Sequence, residues 1–84
     1  MTNKEILKKQ IIYRSMHRGT KEMDLLLGNF VKKHINELNS TELQDLAKLL
    51  FTEDEVIYKW YFKKNLNNSI PNTKVSSMLR NFKL

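Results

Sequence analysis

The sequence predicts an all-α protein, a compact bundle of five short helices. Three observations support this prediction. The 84 residues include only one proline and two glycines. Apolar residues recur with the spacing of helices and not with the alternation of strands. Cap-forming residues stand three positions before glutamates where helices would begin. A chain of this length has room for one modest core, so we expect a single domain over residues 1–84, in which residues 65–84 form a linker and a short last helix.

The composition limits the chemistry that the chain can perform. It contains no cysteine, which excludes disulfides, thiolate metal sites and thiol nucleophiles. His17 and His34 do not have the spacing of metal ligands, and there is no glycine-rich phosphate loop. We therefore expect no catalytic, cofactor-binding or metal-binding residues, and a protein that is not an enzyme. No apolar run approaches the ~20 residues that span a bilayer, so we expect no membrane insertion.

The net charge of +6 suggests an acidic partner. The basic residues of the first quarter of the chain, which end at Lys21, could follow a phosphate backbone. Glu22 and Asp24 come directly after them, however, and a recognition helix there would bring carboxylates to a polyanion. A small basic nucleic-acid-binding module is therefore only the alternative function, and we expect no nucleic-acid partner.

Three helix starts have the pattern of a capping box. In each, a side-chain cap precedes a glutamate by three residues: Thr2 and Glu5, Asn39 and Glu42, Thr52 and Glu55. The second and third starts also have the spacing of a hydrophobic staple, Leu38 with Leu43 and Phe51 with Val56.

The first two predicted helices differ in how clearly they indicate a buried face. The first, over residues 3–17, is apolar on two sides, and its sequence does not decide which side is buried. Its two sides are Ile6, Ile12, Tyr13 and Met16, and Leu7, Ile11, Arg14 and Arg18. The second, over residues 20–35, has one clear core face, formed by Met23, Leu26, Leu27, Phe30, Val31 and His34. Leu25 lies on its polar face.

The remaining helices are predicted from similar stripes. The third, over residues 40–51, buries Leu43, Leu46, Ala47 and Leu50; the fourth, over residues 53–64, has a broad apolar face of Val56, Ile57, Trp60 and Tyr61. Tyr58 and Phe62 lie on another side of the fourth helix. Residues 65–71 have the composition of a linker. Asn72 or Thr73 can cap a last helix that docks on the bundle, frays, or binds a partner.

Residues 17–27 contain the turn between the first two helices. Gly19 there is either the left-handed C′ residue of the first helix or the N-cap of the second. In the second case Glu22 belongs to a capping box whose other half has no side chain. On this interpretation the start of the second helix is the one predicted helix start without a capping side chain. An ordinary interhelical turn explains the pattern, and a docking site at which a partner's backbone approaches the glycine is the alternative.

The same turn carries a family signature. Arg18-Gly19-Thr20-Lys21-Glu22, followed by Asp24 and an apolar helix, resembles the Arg-Gly-x-x-Glu hallmark of the SdhE (YgfY) family, the succinate dehydrogenase assembly factors. Later features agree: the helix start at residues 38–43, Leu49-Leu50, an acidic turn with Asp54, and Trp60. The resemblance covers residues 4–62.

This resemblance implies a five-helix assembly factor. It also adds an antitoxin-like regulatory module to the alternative function. The assembly factor would bind the flavoprotein subunit of succinate dehydrogenase, and of fumarate reductase in some bacteria, and promote covalent FAD attachment to a histidine of that partner. This chain would then bind no cofactor stably. The predicted partner-binding residues are Arg14, Arg18, Gly19, Glu22, Asp24 and Leu25. The lack of a recognisable presequence favours a bacterial cytoplasmic protein, although a processed mitochondrial chain could also begin this way.

Overall fold

The computed structural model describes residues 2–64 and 70–83. The regular secondary structure of these residues is helical, which confirms the all-α prediction. Its helices, in chain order, are α1 (Asn3–Met16), α2 (Lys21–His34), α3 (Ser40–Leu50), α4 (Asp54–Phe62) and α5 (Lys74–Asn81). Most of the predicted linker, residues 65–69, lies outside the described part of the chain.

The core is built around α2. Five residues of its predicted core face are fully buried, namely Met23, Leu26, Leu27, Phe30 and Val31. His34, the sixth, is half-buried and lies beside the Phe30 ring, with 4.9 Å between the ring centroids. α1 packs against both α2 and α3, and α3 also packs against α5. The helical spacing of apolar residues therefore identified the buried side of α2 correctly.

The buried side of α1, which the sequence left open, is the one that carries Leu7 and Ile11. Ile11 and Ser15 are buried, and Leu7 is half-buried against the core. Ser15 satisfies its hydroxyl by donating to the Ile12 carbonyl at 2.8 Å. The opposite side leaves several large apolar side chains exposed: Ile6, Ile12, Tyr13 and Met16.

Two of the three predicted capping starts are present. Thr2 Oγ1 accepts from the Glu5 amide at 3.2 Å, and Asn39 and Glu42 form both bonds of a capping box, at 2.8 and 2.9 Å. The predicted residues of α3 are buried or half-buried, and Leu49 is buried as well.

The third predicted start, at Thr52, is wrong. The N-cap of α4 is Glu53, which makes no capping bond with its side chain. Phe51 is 69% exposed and does not act as a staple; the Arg14 guanidinium lies over its ring, 4.0 Å from the centroid. The physical reason is a tertiary contact, since Arg18 binds the carbonyl of Thr52 and fixes this residue in the turn before α4.

The predicted apolar face of α4 contacts the core. Ile57, Trp60 and Tyr61 are buried. Tyr58 and Phe62 lie on another side, partly exposed, with their ring centroids 4.8 Å apart.

The last helix docks on the bundle. Thr73 is its N-cap and forms a capping box with Ser76, while Val75 and Leu79 are fully buried. The Tyr61 hydroxyl donates to the carbonyl of Phe82, just beyond the helix. Ile70, which the sequence assigned to the linker, is also buried. Of the three alternatives for this helix, docking is therefore the one observed. None of the helices in the described ranges has the length and apolar character needed to cross a bilayer.

Candidate partner-binding site

The turn between α1 and α2 has a side-chain cap after all. α1 ends at Met16, and Thr20 is the N-cap of α2, where its Oγ1 accepts from the Met23 amide at 3.3 Å. The prediction that Gly19 caps α2, and that this start has no capping side chain, is therefore wrong. The alternative, a left-handed C′ glycine, is wrong as well, because φ of Gly19 is not positive. Thr20 could have been recognised as the cap, since threonine is a preferred N-cap residue.

Glycine at position 19 is explained by a close approach within the chain. The Gly19 amide donates to Oδ2 of Asp54 at 2.7 Å. A Cβ at this position would lie 3.1 Å from that same oxygen. A side chain would therefore crowd a carboxylate that lies 35 positions further along the sequence.

Arg18 links this turn to the turn between α3 and α4. Its Nε donates to Asp54 Oδ1 at 2.7 Å, and its Nη2 lies 2.6 Å from the same oxygen. Its Nη1 donates to the Leu50 carbonyl at 2.6 Å, and its Nη2 donates to the Thr52 carbonyl at 2.8 Å. The Arg18 side chain is only 9% exposed. The guanidinium donors thus point into the bundle and not towards a partner.

The charges of this pair also suit the two helices that they join. The Arg18 cation lies at the C-terminal end of α3, where unpaired carbonyls carry partial negative charge. Asp54 is the first residue of α4, where a carboxylate offsets the positive end of the helix dipole. The ion pair therefore stabilises both helix ends as well as the contact between the two turns.

Asp24 completes this network from α2. Its Oδ1 accepts from the Arg18 amide at 2.7 Å. We call Arg18, Gly19, Asp24 and Asp54, with their bonds to the Leu50 and Thr52 carbonyls, the Arg18–Asp54 cluster. Three of the predicted partner-binding residues thus have polar groups that are bound within the chain. Asp54 was not among the predicted site residues, because no local pattern shows that it pairs with a residue 36 positions away.

Two other predicted site residues face solvent. Glu22, in the first turn of α2, is exposed, and its side chain makes no hydrogen bond or ion pair with residues 2–64 or 70–83. Leu25, one turn further along, is 49% exposed. Arg14 is half-buried and lies over Phe51. The outward surface beside the turn is therefore defined by Glu22 and Leu25.

Exposed side chains of α1 extend this surface. Tyr13 and Met16 are both more than half exposed. His17 stacks on Tyr13 with 4.0 Å between ring centroids, and its Nδ1 lies 2.8 Å from the Tyr13 carbonyl. Since a carbonyl only accepts, Nδ1 is the donor in this bond.

A groove of about 500 Å³ runs between α1 and α2 beside the turn. We call it the α1–α2 groove. Residues of both helices line it, among them Ile12, Met16, Leu25, Gly28, Lys32 and Ile35. Its lining is mainly apolar and includes two charged residues of α2, Asp24 and Lys32.

The remaining polar features are structural. Glu42 has a pKa below its usual range, because the Asn39 amide donates to its carboxylate and Lys74 lies 3.1 Å away. This ion pair joins α3 to α5. Within the described ranges, no three His, Asp or Glu side chains are grouped so that they could hold a metal ion.

Comparisons with known proteins agree with the turn signature. A sequence family described as flavinator of succinate dehydrogenase matches residues 9–83. A protein from Scheffersomyces stipitis named succinate dehydrogenase assembly factor 2, mitochondrial, is 38% identical over 80 residues, which cover 90% of this chain and 54% of the relative. The proteins of that name from Dictyostelium discoideum and Saccharomyces cerevisiae are 42% and 36% identical, over 71% and 96% of this chain and 43% and 54% of their own lengths. This chain therefore spans about half the length of the curated relatives it matches. No solved structure gives a match.

These relatives contradict one expectation. Each comes from a eukaryote and has mitochondrial in its name, which conflicts with a bacterial cytoplasmic protein. That expectation depended on the first residues alone, and a processed chain can begin in the same way. The resemblance found in the sequence is confirmed, because the family match extends over nearly the whole chain. This chain therefore belongs to the family of succinate dehydrogenase flavinators, the SdhE-type assembly factors.

Proposed function

We propose that this chain binds the flavoprotein subunit of succinate dehydrogenase and promotes covalent attachment of FAD to it. Family membership supports the choice of partner. The single structural observation that supports the choice of surface is the contrast at the α1–α2 turn. There the Arg18–Asp54 cluster holds the backbone from inside, while Glu22 and Leu25 face outward.

The proposed action is positioning. A bond between a partner histidine and the flavin C8 methyl would replace one C–H and one imidazole N–H, and the partner's FAD would take up the two hydrogens and their electrons. All of these groups would belong to the partner and its FAD, so this chain would need neither a nucleophile nor a stable FAD site. By binding the flavoprotein in the arrangement that brings histidine and methyl together, it would lower the entropic part of the barrier.

The structure changes the roles that we propose for the six predicted residues. Arg18 and Gly19 would act indirectly, by holding the turn in shape, and Asp24 would do so through its Oδ1. Glu22 would contact the partner through charge-assisted hydrogen bonds to its donors, and Leu25 would add apolar contact. Arg14 would contribute beside Phe51 at the edge of this surface.

Glu22→Ala tests this proposal. Because the Glu22 side chain is exposed, we expect the variant to fold with little loss of stability, and to reduce covalent flavin on the co-expressed flavoprotein subunit at least severalfold. The matched control is Glu5→Ala, which removes another exposed glutamate from the first turn of a helix, outside the family match. Flavin fluorescence of the flavoprotein in a denaturing gel gives the readout.

Equal flavin fluorescence with Glu22→Ala and Glu5→Ala would show that the proposed surface is wrong. From the sequence, Gly19→Arg is expected to leave the fold nearly intact and to serve equally well as a test. The structure argues against this expectation, since any side chain at position 19 crowds Asp54. Loss of flavin in that variant would therefore not separate binding from folding.

A further inference from the structure

The α1–α2 groove contains a glycine that the fold does not require. Gly28 lies inside α2, where glycine is less favourable than alanine by roughly 1 kcal/mol. Its φ is not positive. A Cβ there would meet Met16 Cγ at 3.8 Å and the Ser15 carbonyl at 3.9 Å, which are ordinary van der Waals distances. Neither backbone conformation nor helix packing therefore explains this glycine.

The consequence of Gly28 is a deeper groove. It lines the groove together with Met16 and Leu25, two apolar side chains that remain about half exposed or more. A side chain at position 28 would project into the space between them. The chain thus keeps a residue that is unfavourable in a helix at a place where a side chain would reduce the groove's depth.

The two charged residues of the groove lining restrict what could occupy the groove. Asp24 and Lys32 are eight residues apart on one helix, which corresponds to about 12 Å along its axis. An extended segment covers that distance in about four residues. A groove of about 500 Å³ has room for apolar side chains of such a segment. A second copy of this chain is a poor occupant, because each copy carries a charge of +6.

We propose that the α1–α2 groove binds an extended segment of the flavoprotein subunit. One apolar side chain of the segment lies over Gly28, between Met16 and Leu25. A basic residue faces Asp24, and an acidic residue about four positions away faces Lys32. This proposal rests on the proposed function, since it takes the flavoprotein as the partner, and it adds the chemistry and conformation of the segment that is recognised.

Two substitutions test the groove by opposite means. Leu25→Gln removes an apolar side chain from the groove lining, and Gly28→Leu fills the space over position 28. We expect each to weaken binding to the purified flavoprotein subunit by about tenfold or more, as is usual for residues at the centre of an interface. Ile6→Gln is the matched control, because Ile6 is 43% exposed, similar to Leu25 at 49%, and does not line the groove. We expect it to change the dissociation constant less than about twofold.

Thermal unfolding of the free chain separates folding from binding. Gly28→Ala should raise the Tm, because alanine favours the helix and its Cβ fits, and should nevertheless weaken binding. A more stable chain that binds less tightly cannot be explained by misfolding. If Gly28→Leu does not fold, Leu25→Gln and Gly28→Ala still decide the question.

The segment itself can be identified by photo-crosslinking from position 29, an exposed position of the groove lining, in the complex with the flavoprotein. Capture of a flavoprotein peptide with an apolar residue between a basic and an acidic one supports the proposal. Capture of a segment without this pattern overturns it, as does capture of a second copy of this chain. Failure of the unaltered chain to bind the flavoprotein refutes the proposed function. Normal binding that Leu25→Gln and Gly28→Ala leave unchanged refutes only the groove.

Discussion

Asp54→Asn is expected to be one of the most destabilising single-atom changes in this protein. The Asp54 carboxylate accepts from the guanidinium of Arg18 and from the amide of Gly19. Asparagine has nearly the same shape but no charge, and it replaces one acceptor oxygen with a donor. The substitution leaves the Arg18 cation, 9% exposed, without its counter-ion.

The magnitude follows from the burial of the pair. Removing one partner of a buried ion pair costs about 3–5 kcal/mol. Asp54 is 23% exposed and asparagine keeps one oxygen, so we expect a value near the lower end, about 3 kcal/mol. For a domain of this size each kcal/mol lowers the Tm by roughly 4–8 °C. The expected decrease in Tm is therefore roughly 12–24 °C.

Urea denaturation followed by circular dichroism measures this loss directly. The matched control is Glu55→Gln, also in the first turn of α4. Glu55 pairs with Lys59 at 3.0 Å, but the Glu55 side chain is 75% exposed, so its loss should cost less than about 0.5 kcal/mol. If Asp54→Asn costs no more than Glu55→Gln, the Arg18–Asp54 cluster does not hold the two turns together.

Three further predictions concern other parts of the molecule. Gly19→Ala should destabilise by about 1 kcal/mol, since its Cβ would lie 3.1 Å from a carboxylate oxygen that other bonds hold in place; an unchanged urea midpoint would contradict this. Leu79→Ala should cost about 2–5 kcal/mol in the same assay, because Leu79 is fully buried, and a cost below about 1 kcal/mol would mean that α5 frays. Because the pKa of Glu42 is lowered in the folded protein, its carboxylate stabilises the fold at pH values above the ordinary pKa of 4.5. This stabilisation is lost as the pH falls through the lower pKa of the folded state. Glu42→Gln should therefore have a lower Tm than the native chain at neutral pH, and the difference should shrink below pH 4.5; a difference independent of pH would rule out this carboxylate as its source.

Much of the fold could be predicted from the sequence because it depends on local patterns. Helical periodicity identified the buried side of α2, and the capping box at Asn39 was correct, since both depend on residues within a few positions of each other. The start at Thr52 has the same local pattern and was predicted wrongly. A contact from Arg18, 34 positions away, binds the Thr52 carbonyl and determines the conformation there.

The site was only partly predictable, for the same reason. The sequence correctly predicted that Glu22 and Leu25 lie at the surface, but it predicted the same partner-facing position for Arg18. A signal against that position was present. The helical wheel of α1, continued two residues past its end at Met16, places Arg18 on the side of Leu7 and Ile11, and that side is the buried one. No pattern near Asp54 shows that it is the counter-ion of Arg18, since ion pairs between distant segments produce no periodic pattern in the sequence.

The bonds of the Arg18–Asp54 cluster also affect how the turn behaves before any partner arrives. The partly buried amide of Arg18 donates to the Asp24 carboxylate, and the exposed amide of Gly19 donates to the carboxylate of Asp54. Their exchange with solvent deuterium should therefore be slow for a surface turn. Fixing the backbone of one residue costs roughly 1–2 kcal/mol. In this turn that entropy is already lost when the chain folds, so little of it would have to be lost again on association.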